Sequence, residues 1–161
     1  MMDEIDLEKI KSDINILFDA CLEDSGAIHK RLDLFIVPDA LVLKILEATG
    51  IDVHGHWVSI DNYGIFHALE HHGNLITEAR RGQIALDKAD FCLYLDVFLQ
   101  PDVIKSVGVT RRTRLPVLQF EKWINDKHII VKEVRTVTSV KKNKVSRLIF
   151  HTMYKIKKSS K

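Results

Sequence analysis

Apolar residues follow two different rhythms along this chain. Up to about residue 100 they recur at three- and four-residue steps, the spacing of helices with one buried face; beyond about residue 112 they alternate, the spacing of strands. Ile10, Ile14, Leu17, Phe18 and Cys21 predict a helix from residue 4 to about 22, broken by "EDSG". "VPDALVLKILEATG" predicts a second, with Pro38 near its first position and Gly50 as its stop. "HWVSI" reads as a short strand. Residues 62 to 72 then form a third helix between Asp61, which can cap its open amides, and Gly73. "LDKADFCLYLDVFLQPD" gives a fourth, capped by Asp87, carrying Phe91, Leu95 and Phe98 on one face and closed by Pro101.

The later segments "TRLPVLQFEKWIN", "HIIVKEVRTVTS" and "VSRLIFHTMYKIK" are separated by "DK" and "VKKNK" and predict three consecutive antiparallel strands. Helices followed by a meander imply an α+β fold with the helices on one face of the sheet. A chain of 161 residues suffices for one domain with its own core, and the acidic helix over residues 1–31 reads as an extension to a domain over 32–158.

Composition adds an electrical polarity. Residues 1–50 hold 5 Lys/Arg against 11 Asp/Glu, whereas residues 132–161 hold 10 against 1. A basic end of this strength attracts polyanions, and Arg135, Lys141, Lys142, Lys144 and Arg147 are its candidate contacts with RNA. The last six residues alone read as a solvated tail. No run approaches a membrane helix and the start is acidic, so the sequence predicts a cytoplasmic chain with no membrane partner. Cys21 and Cys92 lie within helical patterns and lack metal-site spacing, so they read as buried thiols.

Three stretches can carry chemistry. The third helix holds His67, His71 and His72; the first two share a face, and the third lies further round. A His-x3-His pair can bind zinc, but "HALEHH" does not place its glutamate as a zinc hydrolase does and no third ligand declares itself. The plainer reading, a surface or hydrogen-bonded histidine, suits His71 best. In "KEVRT", Glu133 and Arg135 share a strand face and could serve as base and phosphate clamp, although such a pair also decorates ordinary sheets. A glutamate base, an arginine clamp and a histidine acid can cut RNA through its own 2′-hydroxyl without metal or other cofactor. In "FHTMYK", alternation puts His151 toward a cleft and Thr152 and Tyr154 on the side of Leu148 and Phe150; a bulge would bring the hydroxyls to the cleft instead.

In this order, "GIDVHGHWVSIDNYGIFHALEHHG", "RGQIALDKADF", the Pro-Asp of "LQPDVI", "KEVRT" and "TMYK" resemble the phage-associated barnase/EndoU/colicin/RelE-like nuclease domains, over roughly residues 32–158. The resemblance implies N-terminal helices packed on a small antiparallel sheet whose open side takes RNA. It implies catalytic roles for His67, His72, Glu133, Arg135, Thr152 and Tyr154, and leaves His71 and His151 outside the pattern. His151 is then a candidate RNA contact.

The sequence therefore predicts a metal-independent endoribonuclease, toxin-like or carried by a phage or other mobile element. Unrestrained cleavage would harm the host, so an inhibitory antitoxin or immunity protein is an implied partner. The rivals are an RNA- or phage-protein-binding domain of the same fold, a zinc hydrolase and a structural phage domain. The nuclease reading requires folding to gather the histidines near residue 70 with Glu133 and Arg135 around one pocket.

Overall fold

The computed structural model describes residues 5–24, 29–140 and 142–157. Among them the chain runs α1 (Leu7–Asp24), β1 (Arg31–Ile36), α2 (Asp39–Thr49), β2 (Trp57–Asp61), α3 (Asn62–His72), α4 (Leu75–Arg80), β3 (Gln83–Ile84), α5 (Asp90–Leu99), β4 (Val103–Val109), β5 (Pro116–Ile124), β6 (Lys127–Val140) and β7 (Asn143–Lys157). The predicted helices and the three-strand meander are all present. Asp87 caps the start of α5 as expected, in a reciprocal pair: its carboxylate accepts from the Asp90 amide at 3.3 Å, and the Asp90 carboxylate accepts from the Asp87 amide at 2.7 Å.

The sheet is larger than expected and is not purely antiparallel. Seven strands follow the order β1-β2-β7-β6-β5-β4, with β3 pairing with β7 off this path. β2 runs parallel to β7 over Trp57, Val58 and Ser59, whereas the other pairings are antiparallel. The small antiparallel sheet is thus corrected to a large mixed one. Parallel pairing needs partners far apart in sequence, so no local pattern signals it. β4 went unread because it is an edge strand with little buried face to mark it.

One side of the sheet faces the core. Phe91, Tyr94, Leu95 and Phe98 of α5 pack over Leu118, Phe120, Ile129, Val131, Leu148, Phe150 and Met153, all fully or almost fully buried. Burying one such side chain contributes about 1.5–3 kcal/mol. The acidic α1 joins the same core through Ile10, Ile14, Leu17, Phe18 and Cys21, with the Phe18 and Phe91 rings 5.5 Å apart. No helix among the described residues is long and apolar enough to cross a membrane.

The histidine helix α3 occupies a particular niche. Along the edge of β7 opposite β6, β2 pairs with residues 147–149 and β3 with residues 155–156, which leaves the intervening stretch uncovered. α3 packs there. A Cβ at residue 64 would lie 2.6 Å from the Phe150 carbonyl oxygen, so glycine is what lets the helix come this close. Asp61 caps the helix by accepting from the Gly64 amide at 2.7 Å.

Candidate active site

The decisive local feature is a β-bulge in β7. β6 and β7 stay in register from Lys127↔Lys157 to Lys132↔Thr152, but the next pair is Glu133↔Phe150, so His151 is the extra residue. The bulge breaks the alternation on which the parity reading relied. Phe150 and Met153 both face the core, and Thr152 and Tyr154 turn to the other side with their partners Lys132 and Ile130. His151 itself opens toward α3.

There, His67 and His151 stack with ring centroids 5.4 Å apart, and His71 lies 4.4 Å from His67. Both His67 and His151 line a cleft of about 360 Å³ with Asp61, Tyr63, Val134, Thr136 and Ile149. Burial is the main reason that the His67 pKa falls below the ordinary histidine value; the charges of His71 and His151 lower it further, and Glu70 works the other way. His151 is also shifted down, first by burial and then by Lys132, against the pull of Asp61. A neutral imidazole at neutral pH can accept a proton.

Further along the same helix, the His72 ring lies 5.4 Å from the Tyr154 ring. Its Nδ1 is 3.2 Å from Oε2 of Glu78, a fully buried carboxylate in α4 that Arg81 also binds at 3.1 Å. A carboxylate acceptor requires the proton on Nδ1, so Glu78 fixes the ring and leaves Nε2 for a substrate. Lys132 Nζ stands 5.8 Å from the Tyr154 ring centre. Burial, reinforced by Glu121, raises the Tyr154 pKa and keeps its hydroxyl a hydrogen-bond donor. Thr152 is buried, and its hydroxyl has no hydrogen-bond partner.

Glu133 and Arg135 are not brought to this cleft. Their strand neighbours Val134 and Thr136 line it, so the alternating side chains of 133 and 135 point to the helix layer. Glu133 is wholly buried beneath α5 beside the equally buried Tyr94 hydroxyl, which is too poorly placed to close a full hydrogen bond to it. Burial pushes the Glu133 pKa well above the usual carboxylate value, a shift that Tyr94 only partly offsets. Arg135 donates from Nε to Nε2 of His56 at 3.0 Å, pinning the loop that leads into β2. The expectation that one pocket would gather Glu133 and Arg135 with the histidines is therefore corrected, and the catalytic scheme built on a Glu133 base and an Arg135 clamp falls with it; any chemistry at this cleft rests on the histidines and their own neighbours.

The predicted RNA contacts also divide. Arg147 donates to both Asp33 oxygens, at 3.0 and 3.3 Å, and its side chain is only 11% exposed, so it braces β1. Lys142 and Lys144 are exposed at the β6–β7 turn, roughly 25 Å of strand from Thr152. Lys141 lies outside the described residues. His151 alone of that group stands in the cleft.

A family model described as phage-Barnase-EndoU-ColicinE5/D-RelE like nuclease3 matches residues 36–161. The chain belongs to this nuclease family. No curated protein and no solved structure matches it. The family match starts at the last residue of β1 and omits α1, whose apolar face nonetheless fills part of the core. Sequence reasoning missed Lys132 and Glu78 as neighbours of the candidate residues. Lys132 sat in plain sight as the neighbour of Glu133 with the opposite parity; Glu78 carried no signal, because only the α3–α4 turn brings it to His72.

Proposed function

We propose that this member of the nuclease family is a metal-independent endoribonuclease whose reaction runs on the histidine cleft between α3 and β7. What carries the reading is the convergence of His67, His72, His151, Tyr154 and Lys132, drawn from three separate elements, in a chain of nuclease descent. His67, held neutral, takes the proton of the substrate 2′-hydroxyl. The 2′-oxygen attacks phosphorus, the bond to the 5′-oxygen breaks, and that oxygen receives a proton from His72, whose ring Glu78 orients. Lys132 offsets the charge that builds on the phosphate and the Tyr154 hydroxyl donates to its oxygens, whereas the Thr152 hydroxyl is buried out of reach of substrate. His151 shapes the pocket and contacts the phosphate from the bulge.

RNA incubated with the purified protein in EDTA should yield fragments ending in 2′,3′-cyclic phosphate and 5′-hydroxyl. Intact RNA, or ends bearing 3′-hydroxyl and 5′-phosphate, would overturn the proposal. An enzyme of this kind needs restraint in its host, which supports an inhibitory protein that covers the cleft. The burial of Glu133 favours a second reading, an RNA-binding domain that does not cut; it predicts salt-dependent binding without products.

A further inference from the structure

At the β5–β6 end of the sheet, Trp123 is 45% exposed and yet held firmly. It pairs directly with His128, and the two rings lie 4.2 Å apart and only 4° from parallel. His128 is fixed in turn: Glu121 accepts from its Nε2 at 2.7 Å, and also from Gln119 at 2.8 Å and Lys105 at 3.1 Å. The Trp123 amide donates to Asp102 at 3.0 Å, which anchors the backbone. One indole face is thus covered by His128. The core does not require this arrangement, since the residues concerned lie on the side of the sheet away from it.

That side is the one carrying Tyr154. Glu121, Ile130 and Tyr154 form one row across β5, β6 and β7, and Trp123, His128 and Ile156 form the next. With strands about 4.8 Å apart and rows roughly 6.7 Å apart, Trp123 sits about 12 Å from Tyr154. A short single strand whose phosphate lies at Tyr154 can reach it. A flat, preorganised aromatic surface suits a nucleobase because every base has a π-face.

We propose that Trp123, stacked on His128, is a base-stacking subsite that holds one nucleobase of a single-stranded substrate beside the scissile phosphate. The proposal deepens the nuclease reading and rests on it. Trp57 is the other tryptophan of the chain, so in a Trp57→Phe background Trp123 is the sole indole reporter. Titration with a 2′-O-methyl RNA pentanucleotide, which cannot be cut through its 2′-oxygen, should quench its emission. By ordinary stacking strength, Trp123→Ala should weaken binding of this probe roughly 5- to 150-fold, and Trp123→Phe should restore most of it.

On cleavable RNA, the fall in KM as the substrate lengthens from two to five nucleotides should disappear in Trp123→Ala. Cleavage by the wild type together with equal binding by wild type and Trp123→Ala overturns the subsite and leaves the nuclease reading standing. Quenching without any cleavage supports the subsite and removes the nuclease reading. An indole silent to the pentanucleotide overturns the proposal.

Discussion

Replacing His67 with alanine should slow RNA cleavage by about 10²- to 10⁴-fold, the usual contribution of a positioned general base. The imidazole is only half-buried at the cleft wall, so its loss should leave thermal unfolding close to that of the wild type. The pH profile supplies an independent check. A base works deprotonated, and burial beside two other imidazoles puts the His67 pKa below 6.5. The acid limb of kcat/KM should therefore inflect below pH 6.5, with activity lost only as the pH falls through that lowered value. An inflection above 6.5, or a His67→Ala enzyme of near wild-type rate, contradicts the assignment.

The second large effect concerns stability. Glu133 keeps its proton in the folded state to a pH well above the ordinary carboxylate value, because its charge would be buried beneath α5 with only the poorly placed Tyr94 hydroxyl to offset it. In the unfolded chain it ionises near its ordinary value of 4.5. Between those two values the native state binds the extra proton, so wild-type stability declines as pH rises through the window. Glu133→Gln has nothing to titrate there and should be the more stable protein at pH 7. In a chain of this size each kcal/mol raises Tm by about 2–4 °C, and the advantage should vanish below about pH 4. A wild type equally stable at both pH values would show that the carboxylate reaches solvent. Cleavage lost in Glu133→Gln at unaltered stability would return Glu133 to the reaction.

The sequence was most readable where structure is local. The α3 boundaries fall at Asp61 and Gly73 as expected, although Gly73 stays right-handed at φ −96° and does not adopt the left-handed turn that made glycine the expected stop. The alternation in the last fifty residues marks β5, β6 and β7. The mixed sheet was hidden because β2 meets β7 across some ninety residues of chain. The site was half legible for a similar reason. His67 and His72 share one helix, so folding could not separate them; Glu133 and Arg135 share one strand face, but which face looked outward depended on packing. A single inserted residue at His151 reversed the sides of Thr152 and Tyr154, set His151 against His67 in the cleft and set Tyr154 against His72 further along the same helix. Local alternation assumes an unbroken register, and here a bulge reverses the faces of the candidate residues.

The histidine side chains offer the most direct test that substrate binds in this cleft. Imidazole ¹⁵N spectra can be recorded while the protein is titrated with a 2′-O-methyl dinucleotide. The account predicts that His67, His72 and His151 shift together and saturate at one affinity, while His56, locked to Arg135 on the far side of the sheet, stays still. Shifts confined to histidines outside the cleft, with those three unmoved at saturation, would contradict it.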